Sequence, residues 1–268
     1  MPEARVTVPT VRVAKRREGH PPLVMVTAYD TPTARIADAA GVDMILVGDS
    51  VANNVLGFED TLQVTVDDMV RHTAAVARAR PRALLVADLP WMSYHIEPRE
   101  TVRNAAALVR AGAQAVKLEG GTVRLPMVEA IIAAEIPVMG HLGLTPQSVN
   151  TMGGYRVQAK TEDAAAVLGI DAKALAAAGC FALVLEGVPE RVGRSVTESL
   201  EVPTIGIGAG PDCDGQVLVF HDVLGINAST PKFVRRYAEL GEVATAALSA
   251  FADDVRSGAF PADAEVYH

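Results

Sequence analysis

Three carboxylates stand at matched places in this chain. The apolar run Met44 to Val47 stops at Gly48, and Asp49 and Ser50 follow at once. Leu84 to Ala87 ends at Asp88, and Ala115 to Leu118 ends at Glu119. A buried parallel strand ends this way when its C-terminal tip carries chemistry. In a parallel sheet all such tips lie on one face, so carboxylates far apart in sequence converge. Clustered carboxylates repel one another, and a hard divalent cation relieves them; oxygen ligands with retained waters suit Mg²⁺. Any one of the three reads, alone, as a polar cap on a strand end. Together, Asp49, Asp88 and Glu119 read as a metal site, with room for one of them to act through water.

Other polar residues fall beside these tips. Ser50 adjoins the first carboxylate. Lys117 precedes Glu119 by two, so both point to one face of their strand. An inward lysine needs a counter-charge, which a substrate carboxylate or Glu119 itself can supply. Glu186 ends the run Phe181 to Leu185, across a barrel from the others. Spacing leaves it equally a general base, with a pKa raised by burial, or a salt-bridge partner. His141, in Gly140-His141-Leu142-Gly143, is open between base, ligand, hydrogen-bond donor and structural roles. His72 and His95 read as solvated or packed. The run Gly206-Ile207-Gly208-Ala209-Gly210 invites a phosphate-loop reading but fits neither GxGxxG nor the Walker pattern, so a tight turn serves as well. A carboxylate-held Mg²⁺ with an open face can polarise a carbonyl, and a 2-oxo acid can chelate it. The hydrogen beside the keto group then becomes removable by a base, and the set points to Mg²⁺-dependent enolate chemistry on a 2-oxo acid.

These residues need a frame of buried strands. The chain has 268 residues, 50% of them apolar and only 4% aromatic. Such an aliphatic core suits strands covered on both faces by helices. Apolar runs place strands at 23–27, 43–47, 83–87, 114–118, 137–141, 181–185, 203–207 and 216–220. Helical patterns fill most of the gaps, and Thr65-Val66-Asp67-Asp68 has the form of a helix cap. Eight alternating units favour a closed (β/α)₈ barrel over an open sheet, at close to the usual length of about 250 residues. Long polar connections at 51–64 and 143–161 read as loops, of a length that is usually functional or disordered. Residues 1–20 read as an arm or short helix outside the core and about 231–258 as a C-terminal helical segment. No stretch has the composition of a linker, so residues 1–268 read as a single domain. A net charge of −8, with no basic stripe, argues against nucleic acid. Cys180 and Cys213 give neither a disulfide framework nor a CxxC motif, and no segment has the form of a signal peptide or membrane span. The expectation is a soluble cytoplasmic protein.

Several blocks carry a resemblance. LVGDS at 46–50, ADLP at 87–90, VKLEGG at 116–121, GHLGLTPQSVN at 140–150, GGY at 153–155, VLE at 184–186, IGIGAG at 205–210 and DGQVLV at 214–219 resemble, in order, those of the ketopantoate hydroxymethyltransferase family. The resemblance implies a TIM barrel of the phosphoenolpyruvate/pyruvate type that assembles as a homodecamer. It implies transfer of a hydroxymethyl group from 5,10-methylenetetrahydrofolate to 3-methyl-2-oxobutanoate, giving 2-dehydropantoate on the way to pantothenate and coenzyme A. It implies Mg²⁺ at Asp49, Asp88 and Glu119. The oxo acid would be held by Ser50 and Lys117 with Asp49 and Asp88, Glu186 would be the proton acceptor, and His141 a substrate-binding neighbour. The chain departs from the family pattern at Val51-Ala52-Asn53-Asn54, Phe58, Trp91 and Gly187, none of them a metal or base position. The alternatives are a Mg²⁺-dependent carbon–carbon lyase of the related barrels, a hydroxymethyltransferase for another 2-oxo acid, and a non-catalytic scaffold. A catalytic loop cysteine, common in those lyases, is missing from the pattern of Cys180 and Cys213.

Overall fold

A computed structural model describes residues 4–268. Eight parallel strands close on themselves in chain order. They are β1 (Leu23–Thr27), β2 (Met44–Val47), β3 (Leu84–Asp88), β4 (Ala115–Glu119), β5 (Val138–Gly143), β6 (Ala182–Glu186), β7 (Thr204–Ile207) and β8 (Gly215–Leu218). β8 pairs with β1, Leu23 opposite Gly215, which completes the barrel. Helices fill most of the gaps, among them Thr31–Ala39, Val66–Ala77, Pro98–Ala111, Leu125–Ala133, Glu162–Ala177 and Glu190–Ser199. The Thr65 cap is present: its side chain accepts from Asp68 N–H, and the Asp68 carboxylate accepts from Thr65 N–H.

Strand alternation divides the core in two. Met25, Met44, Leu46, Leu84, Val86, Ala115, Met139, Ala182, Val184, Ile205 and Val217 fill the barrel interior. Their neighbours Ile45, Val47, Leu85, Ala87, Val116, Leu118, Leu183 and Leu185 face the helices. Followed toward the C-terminal tips, the inward series continues into Asp88, into Lys117 and Glu119, into His141, and into Glu186. The polar residues are therefore the top layer of the barrel filling.

The N-terminal arm differs from its expected place outside the core. Val6, Val11 and Ala14 pack in the same interior cluster. Thr7 caps the short helix Val8–Arg12, and Val6 N–H donates to Arg82 O. Lys15, only 1% exposed, reaches Asp214 at 2.6 Å. The arm thus plugs the end of the barrel opposite the tips, where an open barrel would expose apolar side chains to water.

The barrel lies within the compact unit of residues 1–219, and residues 220–268 form a second compact unit. In that second unit the long helix is Leu240–Ser257 rather than about 231–258. The preceding backbone is drawn elsewhere: Tyr237 N–H donates to Val223 O and Leu240 N–H to Leu224 O. Among the described residues no helix is long and apolar enough to cross a membrane.

Candidate active site

The tips of β2 to β6 bring six of the nominated residues into one buried network. Asp88 and Lys117 are register neighbours on β3 and β4, and Glu119 and His141 are neighbours on β4 and β5. Lys117 Nζ lies 2.9 Å from Asp88 Oδ1 and 3.3 Å from His141 Nδ1. His141 Nδ1 is 3.4 Å from Glu119 Oε1, and its Nε2 is 3.2 Å from Glu186 Oε2. Asp49 joins through its backbone, whose N–H donates to Asp88 Oδ2 at 3.1 Å. Gly48 makes room for the Ser50 hydroxyl, because a Cβ there would stand 2.8 Å from Ser50 Oγ. Ser50 shares a 2.9 Å hydrogen bond with the Tyr29 hydroxyl.

Charge is not balanced in this network. Asp49, Asp88, Lys117, Glu119 and His141 are all buried. Burial, then Asp88 and Glu119, push the Asp49 carboxyl up to about 8, against the pull of Lys117. Burial also raises Asp88, with Lys117 opposing. Burial acts to lower Lys117, but Asp88, Glu119 and Asp49 outweigh it and raise its pKa. His141 is likewise lowered by burial and by Lys117, yet Glu119 and Glu186 carry it up to about 9. Two cations thus face three deeply buried carboxylates and the slightly exposed Glu186. Asp88 Oδ1 is fully buried without an aligned hydrogen bond despite its ion pair.

Among the described residues no three His, Cys, Asp or Glu side chains form a ready-made cation cage. Lys117 and a residue outside the nominated set, Gln147, hold the carboxylates instead. Gln147 Nε2 donates to Asp49 Oδ2 at 2.8 Å, and its backbone N–H donates to Glu119 Oε2 at 3.0 Å. The donor set still fits a hard, oxygen-seeking cation: buried carboxylates in excess, one oxygen lacking a hydrogen bond, and no thiolate in the network.

A family model described as ketopantoate hydroxymethyltransferase matches residues 5–263. The chain belongs to the ketopantoate hydroxymethyltransferase family. The 3-methyl-2-oxobutanoate hydroxymethyltransferase of Koribacter versatilis is 54% identical over 266 residues, 98% of this chain and 90% of the relative. That of Moorella thermoacetica is 55% identical, with 96% of each chain covered. Among solved structures, 2,3-dimethylmalate lyase of the PEP mutase/isocitrate lyase superfamily matches with a TM-score of 0.62 at 20% identity, covering 99% of this chain and 93% of the other. A phosphonopyruvate hydrolase in complex with oxalate and Mg²⁺ matches with a TM-score of 0.62 at 15% identity, covering 98% and 92%. These two carry the fold. As a member of the hydroxymethyltransferase family, the chain is an enzyme, and its relatives' names give the activity its site must perform.

Other readings settle differently. In the glycine run Gly208 and Gly210 have positive φ, and Ala209 O lies where a Cβ on Gly193 would collide with it. The run is a turn packed on the helix Glu190–Ser199. His72 Nδ1 sits 2.7 Å from Tyr29 O, and His95 packs its ring 4.3 Å from that of Tyr94. In the family-divergent stretch, Val51 and Ala52 are fully buried, and Ala52–Leu56 forms a single wide helical turn. Asn54 Nδ2 donates to Ser50 O and Asn53 Nδ2 to Phe58 O, so the two asparagines close that turn beside the site. Burial pushes the Cys180 thiol up to about 12, which leaves it inert.

Sequence reasoning missed Gln147 and Tyr94. Gln147 lies within the GHLGLTPQSVN block, but a neutral amide has no chemistry to nominate it. Tyr94 stands between Trp91 and His95 in a loop where only its burial sets it apart.

Proposed function

We propose that this enzyme transfers a hydroxymethyl group from 5,10-methylenetetrahydrofolate to 3-methyl-2-oxobutanoate, giving 2-dehydropantoate. The observation that carries this reading is the single buried network joining Asp49, Asp88, Lys117, Glu119, His141 and Glu186. Asp49, Asp88 and Glu119 would hold Mg²⁺, in keeping with the excess of carboxylates and with the Mg²⁺ that the phosphonopyruvate hydrolase fold relative contains. When bound, that ion would supply Lewis acidity to the keto oxygen and so acidify the neighbouring carbon. Lys117 and Ser50 offer a cation and a hydroxyl to the oxo acid's own carboxylate, which needs both once out of water.

Glu186 would take the proton from the carbon beside the keto group. It is the one carboxylate of the network with solvent access, its side chain 15% exposed. His141 stands between Glu186 and Glu119, its Nε2 3.2 Å from Glu186 Oε2 and its Nδ1 3.4 Å from Glu119 Oε1. The carbon so freed forms its new bond to the one-carbon unit of the folate donor. Tetrahydrofolate leaves, and water supplies the hydroxyl oxygen. Departure of the divergent stretch from the family pattern leaves the six network residues unchanged, which favours the family's own oxo acid over another.

The exposed apolar residues of Leu240–Ser257 — Leu240, Val243, Leu248, Phe251 and Val255 — support self-assembly, which we propose to be the homodecamer. The two free thiols support a cytoplasmic setting. Proton exchange tests the chemistry. In D₂O with 3-methyl-2-oxobutanoate, Mg²⁺ and no folate, the ¹H signal beside the keto group should vanish, and with chelator it should persist. Exchange with a different oxo acid only would change the substrate. Failure with every oxo acid, folate added, would sink the transferase reading. Native mass spectrometry should find ten copies of the 28.1-kDa chain; a monomer would overturn the assembly.

A further inference from the structure

Gln147 is only 5% exposed, yet it is a polar residue with no chemistry of its own. Each of its donors, and its amide oxygen, is engaged. Nε2 donates to Asp49 Oδ2 at 2.8 Å and to Leu89 O at 3.0 Å. Its backbone N–H donates to Glu119 Oε2 at 3.0 Å. Its Oε1 accepts from the buried Tyr94 hydroxyl at 2.6 Å, and that hydroxyl accepts in turn from Glu119 N–H at 3.2 Å. The amide has only one workable orientation. Two acceptors face Nε2, and the hydroxyl's single proton faces Oε1; a flip would set oxygen against oxygen twice. Gln147 therefore ties together the tips of β2, β3 and β4 from the loop after β5.

Its neutrality matters. Two carboxylates brought together need donors, and a lysine or arginine there would supply them while cancelling the charge that attracts a cation. An amide and a backbone N–H fix the carboxylates and leave their charge in place. They also engage one oxygen of each, Asp49 Oδ2 and Glu119 Oε2; Asp49 presents its other oxygen, and Glu119 Oε1 faces His141 Nδ1 at 3.4 Å. Mg²⁺ takes one or two carboxylates directly and leaves its remaining positions to water and substrate, so a fixed Asp49 with one oxygen to give, and Glu119 held beside it, suit that ion.

We propose that Gln147, oriented by Tyr94, is a positioning residue that presets Asp49 and Glu119 for the divalent cation. The proposal rests on the metal reading given above, and the test separates the two. Mg²⁺ binding would be measured by calorimetry, without substrate, on the parent, Q147M and Y94F, with melting temperatures taken in chelator and in Mg²⁺. The parent should bind Mg²⁺. Q147M should weaken it about 10–100-fold, the range for a partner that orients a metal ligand. Y94F, which frees the amide to turn and removes the hydroxyl that accepts from Glu119 N–H, should weaken it about tenfold or less. In the double variant the two losses should be less than additive, since Tyr94 acts in part through Gln147 and in part through Glu119 N–H. A purely structural role would instead lower the melting temperature equally in chelator and in Mg²⁺, with the affinity of the folded protein unchanged; that result overturns the proposal. If Q147M does not fold, Y94F decides, and parental affinity in folded Y94F overturns it. A parent that binds no Mg²⁺ overturns the metal reading itself, and this proposal with it.

Discussion

The barrel buries charge at both ends, on opposite terms. Below, Lys15 donates to Asp214 Oδ2 at 2.6 Å, to Thr197 O at 2.9 Å and to Val202 O at 3.3 Å. Asp214 takes, besides, Thr204 N–H at 3.0 Å and Arg16 N–H at 2.9 Å. One positive charge meets one negative, and every ammonium proton has an acceptor. Above, two cations meet three buried carboxylates and Glu186, and one Asp88 oxygen lacks a hydrogen bond. The lower cluster is finished as it stands; the upper one still needs a positive charge. A buried network complete within the chain serves structure, whereas a deficit at strand tips marks where a ligand completes it.

The largest expected effect lies in the upper cluster. Glu186→Gln removes the proposed base while keeping its size, and the loss of a general base typically lowers rate about 10²–10⁴-fold. Proton exchange from 3-methyl-2-oxobutanoate, followed by NMR, should fall by that factor with oxo acid binding and urea midpoint unchanged. Loss of binding in its place would make Glu186 a positioning group.

Next comes the lower cluster. Lys15→Met leaves Asp214 buried without its cation, which costs about 3–5 kcal/mol for a broken buried pair. Urea unfolding should show that loss, while proton exchange per folded molecule stays at the parent's level. A variant as stable as the parent would mean the arm is not a plug, and the contrast between the two ends would collapse.

What the sequence made legible follows this same division. Strands were legible because parallel strands buried on both faces read as unbroken aliphatic runs, and the candidate site because four of those runs stop at a carboxylate, Asp49, Asp88, Glu119 and Glu186. Lys15 was not, because Lys15-Arg16-Arg17 reads as a solvated basic run and its partner Asp214 is 199 residues away. Gln147 was not, because its role lies in four hydrogen bonds that exist only once three strand tips are together. The start of the last helix was misjudged since the backbone of residues 237–240 bonds to the short helix Phe220–Val223 and Leu224 rather than to itself.

A smaller effect, opposite in sign, would sharpen the comparison. Above about pH 8, where the raised Asp49 carboxyl is ionised, Asp49→Asn removes one negative charge where charge is in surplus, and its amide oxygen can still accept from Gln147. Without Mg²⁺ the variant should be more stable than the parent by about 1 kcal/mol, a rise of roughly 2–4 °C in Tm for a chain of this size. The Mg²⁺-linked rise of the parent should be lost. A fall in metal-free Tm would show that the upper carboxylates are as well neutralised as the lower pair.

The smallest effect comes from the residue two places beyond Lys15. Arg17 Nη2 lies 2.6 Å from Glu201 Oε2, the same separation as Lys15 and Asp214, but the side chains are 40% and 86% exposed. Glu201 raises the Arg17 guanidinium, chiefly through their hydrogen bond, with burial opposing. In water such a pair gains little, since solvent screens the attraction and both side chains lose freedom in making it. Arg17→Ala should therefore leave the urea midpoint within error of the parent's, and 1 M salt should not separate the two proteins. A clear fall in midpoint would mean that pair length, rather than burial and completeness, sets what an ion pair contributes at this end of the barrel. The large effect predicted for Lys15→Met would then no longer depend on its being enclosed.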